Sequence, residues 1–280
     1  MSAPLARPSW AIRREIWLLV GYGLLNLALF VALRPAPNAD WATAWWRVAS
    51  WGSEVYDYPW RYSPVMLPVV QVMVAAGPLA LVGAHLVALV ALARLGFWPL
   101  WLFALSAFFW VDLIVGNVFT FVAVAAAFAI TGSRAGSLLY MALTFLMPRP
   151  VQVPLALWLL WRRRDLRMPS ALLFGLHALG VLASGLAWQW MGSLVGSTSL
   201  TYEPFSVGPG RIFGLYWLLI GVPVAALMVW RGGAPVASLA GVVASPFLLP
   251  QYLLMAVIAV PPIAAKSGHH SLAEQTHGPT

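Results

Sequence analysis

Cysteine is missing from the 280 residues, so neither a disulfide framework nor a thiolate metal site is available. Charge is scarce as well: 9% of residues are Asp, Glu, Lys or Arg, against about 25% in a soluble domain. Also missing is the short-segment alternation of polar and apolar residues that marks an outer-membrane barrel. The five histidines have no paired spacing apart from His269-His270 in the tail, so no metal site is expected. What the chain does have is apolar surface. Hydrophobic residues make up 61% of it, and its mean hydropathy is +0.83. Several near-uncharged stretches approach or exceed the roughly 20 residues that cross a bilayer. The chain reads as an all-α polytopic membrane protein, because helices are the remaining way to satisfy a backbone inside lipid.

The net charge of +8 does not argue for nucleic acid, since the cations lie at span ends and do not line one face. The sixteen Trp also gather near span ends, as ring systems that favour the interface do. Arg7, Arg13 and Arg14 precede the apolar run from Ile16 to Leu33. That run exceeds a signal-peptide core, so it is read as an uncleaved first helix. Arg34-Pro35-Ala36-Pro37 ends it. A polar, Trp-rich loop extends to Ser63. The apolar run from Pro64 to Leu92, interrupted at Gly77-Pro78, is too long for one upright span and reads as a kinked helix or a shallow segment before a true span.

A short span covers Phe97 to Trp110, and Asp112 is expected to cap the next, which runs to about Ile130. Two short spans, Ser137 to Met147 and Val151 to Trp161, flank Pro148-Arg149-Pro150. After the basic cluster Arg162 to Arg167, one clean span is expected from Ser170 to Trp190. A second polar loop follows from Met191 to Gly210. The last spans are Ile212 to Trp230 and Ala237 to Ile263, the latter broken at Ser245-Pro246 and near Pro250. The expectation is about nine transmembrane helices in one domain over residues 1–265, with a large first outer loop and a disordered tail over 266–280. With the N-terminus in the cytoplasm, ten arginines fall inside (Arg7, Arg13, Arg14, Arg94, Arg134, Arg162, Arg163, Arg164, Arg167, Arg231) and five outside, as the positive-inside rule requires. Asp40, Glu54, Asp57, Asp112 and Glu203 fall outside.

That outer face collects the candidate site. Asp40 serves equally as a helix N-cap before Trp41 and as a general base for an acceptor hydroxyl. Tyr56 and Tyr62 read as interface anchors or as rings that stack on sugar, Glu54 and Asp57 as substrate-binding carboxylates or simply solvated ones, and Arg61 as a cation of the same kind as Arg149. Asp112 reads as a cap or, if at membrane depth, as a functional carboxylate. Asn117 follows Gly116, which suits a close backbone approach. Arg149, between two prolines, suits a bidentate grip on phosphate or simple snorkelling, and Arg47 and Arg211 are similar. His85 and His177 read as satisfied buried histidines. No charge pair inside the spans stands out as an ion relay.

One apolar helix, an outer loop with an early Asp40, the stretch Gly52, Tyr56 and Asp57, and Tyr62-Ser63-Pro64 leading into an apolar run form an ordered pattern. Gly116-Asn117, Pro148-Arg149-Pro150 with Pro154, and Ser245-Pro246 continue it. In this the chain resembles the GT-C superfamily of polytopic glycosyltransferases, and within it glycosyltransferase family 87, the polyprenyl-phosphate-mannose-dependent mannosyltransferases. The resemblance implies a GT-C-like bundle and a metal-independent hexosyltransferase at the cell membrane, with no cofactor. Its partners would be a polyprenyl-phosphate sugar donor, with mannose the expected sugar, and a lipid or glycan acceptor on the outer face. Asp40 would be the base, and Arg47, Arg61, Arg149 and Arg211 would hold the phosphate. The alternative is a non-catalytic membrane protein, either a flippase for polyprenyl lipid or glycan, or an accessory subunit. A coupled transporter ranks last, for want of buried charges or an internal repeat.

Overall fold

The computed structural model describes residues 9–35, 37, 56, 62–198 and 206–261. Among these there is helix and no strand. Helix α1 (Ser9–Leu33) stops where Arg34-Pro35 was expected to stop it. At 25 residues it is about 37 Å long, enough for a hydrocarbon core of about 30 Å. After a 3-10 turn at Pro64–Met66 come α2 (Leu67–Ala76) and α3 (Pro78–Ala93). They meet at 109° across Gly77, whose φ of +80° is open to glycine at no steric cost. Helices α4 (Phe97–Ala104) and α5 (Ala107–Val115) meet at 58°. Then follow α6 (Phe119–Ile130), α7 (Arg134–Leu146), α8 (Val153–Arg162), α9 (Arg164–Ala183) and α10 (Ala187–Thr198). The last are α11 (Gly210–Phe213), α12 (Leu218–Arg231), α13 (Ala234–Ala244) and α14 (Leu254–Val257).

The described residues do not confirm the nine expected spans. Among the described residues three stretches are long and apolar enough to cross a membrane, Arg14–Leu33, Arg164–Ala183 and Gly210–Arg231, or five if each bent pair counts as one span. This is consistent with a membrane protein. The shortfall has a physical cause. Helix α6 has 12 residues, about 18 Å, and nearly all of them are buried in protein. Its apolarity serves the bundle core and not lipid. The expected span from Ser170 to Trp190 begins earlier, at Arg164, and breaks at Gly185, whose φ is +69°. Much of the second polar loop is helical, since α10 runs to Thr198. Over its described part, the run from Ala237 to Ile263 is not one continuous helix: α13 ends at Ala244, and a 3-10 turn at Pro250–Leu253 and the four-residue α14 follow. The tail from Lys266 lies outside the described residues.

Alanine makes the centre compact. Ala123, Ala125, Ala126 and Ala129 of α6 are buried, and small residues let helix backbones approach. Helix α7 returns along α6 with Gly136 against Phe128, where a Cβ would collide. Gly241 of α13 lies against the backbone carbonyl of Val151 in the same manner.

Two ends result. At one, the Arg163 guanidinium donates to Gly132 O (2.9 Å) and Arg162 to Trp230 O (3.1 Å), while the Trp158 indole donates to Gly232 O (3.0 Å). At the other, Ser63 N donates to Leu146 O (2.9 Å), Val207 N to Leu248 O (2.8 Å) and Gly210 N to Pro246 O (2.7 Å). The turn at Ser63–Pro64, the break at Arg149 and the break at Ser245–Pro246 therefore share the end opposite the arginine cluster.

Candidate functional site

Arg149 is placed by its own backbone. It sits extended between two prolines (φ −136°, ψ 138°), because a residue before proline is driven out of the helical region. Its N–H donates to the Gln152 side-chain oxygen at 2.9 Å. Gln152 is buried, and its backbone carbonyl accepts from the Tyr140 hydroxyl at 2.8 Å. The break is thus fastened to α7 and cannot swing freely. The guanidinium lies over the Tyr62 ring at 4.9 Å and near the Tyr252 ring at 5.9 Å, an arrangement that attracts a cation to the ring faces. Tyr62 is buried, and its carbonyl accepts from the Tyr56 hydroxyl at 3.1 Å. Burial pushes the Tyr56 phenol up from its ordinary value, so Tyr56 remains a donor.

Arg149 and Tyr252 line one end of an apolar groove of about 860 Å³, within the range of about 300–1,000 Å³ usual for small-molecule sites. It runs between α8 and α12, past Leu157, Leu218 and Val222, to Trp161 and Trp230. Ser245 and Pro246 also line it. A long apolar slot closed at one end by a guanidinium set on aromatic rings suits a molecule with a hydrocarbon tail and an anionic head.

Asp112 and Asn117 do not line this groove. Asp112 lies inside α5 and is fully buried. It does cap the next helix, though from a distance: its Oδ2 accepts from Thr120 N at 2.7 Å. Asn117 Oδ1 accepts from Val118 N (2.7 Å) and Phe119 N (3.1 Å). Both side chains therefore satisfy the backbone donors at the start of α6. Phe119 then packs on Tyr252 with ring centres 4.8 Å apart, which ties this turn to the groove's aromatic rim.

His85 is the residue that sequence reasoning placed without its partner. Its Nδ1 contacts Leu81 O at 2.8 Å and its Nε2 contacts Asp112 Oδ2 at 3.4 Å. A carbonyl only accepts, so Nδ1 carries a proton. A buried pair of titratable groups therefore does lie in the helical bundle, contrary to expectation. Asp112 Oδ1 and Thr120 Oγ1 have no hydrogen-bond partner among the described residues. The reading of His177 as satisfied is corrected too, because both of its ring nitrogens are buried with no partner among the described residues.

Arg211 is exposed in the last turn of α11 and does not line the groove. Asp40, Arg47, Glu54, Asp57 and Arg61 lie outside the described residues. Among the described residues no cluster of three or more His, Cys, Asp or Glu is positioned to hold a metal. Sequence reasoning missed Gln152, although its position three residues after Arg149 matches the capping-box spacing. It also missed Tyr252 and the α12 wall of the groove, for which the sequence carries no local signal. Comparison with protein families, curated proteins and solved structures returns no match.

Proposed function

We propose that the protein is a membrane glycosyltransferase that uses a polyprenyl-phosphate hexose, with mannose the first sugar to test. The observation that carries this reading is the apolar groove ending at Arg149. The prenyl tail lies between α8 and α12, and the phosphate meets the guanidinium, whose planar fork matches two phosphate oxygens. The acceptor hydroxyl oxygen attacks the anomeric carbon, and the bond from that carbon to the phosphate oxygen breaks. The electron pair leaves with the phosphate, where Arg149 stabilises the charge. The hydroxyl proton passes to the Asp40 carboxylate. Attack opposite the leaving group inverts the anomeric centre. Phosphate is a good leaving group, so no strong general acid is needed.

The test uses the full chain in lipid nanodiscs, a polyprenyl phosphate bearing a photoreactive tail, and a radiolabelled polyprenyl-phosphate mannose with crude membrane acceptors. Crosslinks to Leu218 or Val222, together with label transfer that Asp40→Asn lowers by about 10²–10⁴-fold, support the reading. Crosslinking without transfer of any hexose supports a non-catalytic lipid-binding protein. Absence of crosslinks in the groove removes both.

A further inference from the structure

A second cavity, of about 590 Å³, lies between α8 and α9 and shares Leu157 and Trp161 with the first. Phe145, Leu160 and Phe174 make its walls apolar, and Arg167 and Ser170 are polar exceptions. Ser170 is 3% exposed, and its hydroxyl has no hydrogen-bond partner among the described residues. A buried hydroxyl left unmade is costly, and it points to something that fills the cavity. Arg167 is pinned at the rim, where its Nε and Nη2 donate to Leu160 O (2.9 Å) and Trp161 O (3.0 Å). Arg162 and Arg164 are its neighbours in sequence. The acidic residue beside them, Asp165, is bound to Arg163 at 2.8 Å, so the rim keeps a surplus of positive charge.

We propose that this cavity binds an anionic phospholipid. An acyl chain lies along Phe145, Leu160 and Phe174. The Ser170 hydroxyl donates to an ester carbonyl, and the phosphate sits at Arg167. The depths agree, since Ser170 lies three residues beyond Arg167 on α9, about 4.5 Å deeper. A free phosphate leaves the apolar walls uncovered. A fatty acid leaves Ser170 with nothing to donate to once its carboxylate meets the arginine. The arginine-rich end is also the end that the positive-inside rule assigns to the cytoplasm, where anionic lipids concentrate and basic pockets between helices hold their headgroups.

Delipidated full-length protein, offered equal phosphatidylglycerol and phosphatidylcholine of matched chains, is read by native mass spectrometry. The wild type retains phosphatidylglycerol in preference. Arg167→Gln lowers that preference about five-fold, the share of one cation near a lipid surface, and Arg167→Lys keeps most of it. Ser170→Ala, small enough to leave the fold in place, weakens both lipids alike because the ester is common to them. Equal retention of the two lipids by the wild type overturns the proposal, as does unchanged retention by Ser170→Ala. If Arg94→Gln, a cation outside the cavity, matches the effect of Arg167→Gln, diffuse charge accounts for the preference and the proposal also falls.

Discussion

Arg149 is held by contacts that leave its charge where a lipid phosphate would sit. Its backbone is fixed by two prolines and Gln152, and its side chain rests on Tyr62. Removing it should cost chemistry more than fold: Arg149→Ala is expected to lower sugar transfer by about 10²–10³-fold. Arg149→Lys should recover part of that, since an ammonium lacks the bidentate fork. Both are measured with labelled donor at matched protein folding, and wild-type rates in Arg149→Ala would remove the phosphate role. Asp112 makes the opposite case. Its Oδ2 serves Thr120 N and His85 at once in full burial. Asp112→Ala strands both partners and should destabilise by about 3–5 kcal/mol. Asp112→Asn keeps an acceptor for Thr120 N and offers an N–H to His85 Nε2, so it should fall within about 1.5 kcal/mol of wild type. Thermal unfolding in detergent reads both, and an Asn variant as damaged as the Ala variant would show that the charge itself matters. The sequence made Asp112 and Arg149 legible as rare charges in apolar surroundings. It hid the pairing with His85, because residues 27 positions apart meet only through tertiary packing.

At the scale of elements, glycine at close approaches decides how the helices pack. The backbone of α13 touches the carbonyl of Val151 at Gly241, whereas a Cβ at Gly175 on α9 meets nothing within 4 Å. Gly241→Ala is therefore expected to destabilise by about 1–3 kcal/mol or more through overpacking. Gly175→Ala should stabilise by about 1 kcal/mol from helix propensity alone. Thermal unfolding of the two variants in one detergent should separate them by sign, and equal effects would contradict the packing of α13 on the Arg149 break. Many element boundaries were readable beforehand, because prolines and glycines punctuate the chain. Gly77-Pro78, Pro148-Arg149-Pro150 and Ser245-Pro246 all became breaks. The break at Gly185 was not foreseen, since no proline marks it. The status of each helix as a span was also not readable. Residues buried in protein and residues facing lipid are equally apolar, and length separates them.

For the whole molecule, the separation of its two ends makes a claim about sidedness. The arginines at Arg162 to Arg167 and the turn at Thr131–Gly132 occupy one end, and the segment at Ser206–Gly210 packs on Ser245–Leu248 at the other. The positive-inside rule predicts that the arginine-rich end lies in the cytoplasm; on that prediction the groove's guanidinium faces outward, where the proposed sugar donor is a lipid and not a nucleotide. The chain has no cysteine, so single-cysteine variants report position without background. Thr131 is exposed at the arginine-rich end, and Val207 is 43% exposed at the other. A membrane-impermeant maleimide applied to intact cells should label Val207→Cys at once and Thr131→Cys only after permeabilisation. The reverse pattern would put Arg149 and the loop that carries Asp40 in the cytoplasm. Nucleotide sugars are at hand there, and the argument for a lipid-phosphate donor would lose its ground even with the groove intact.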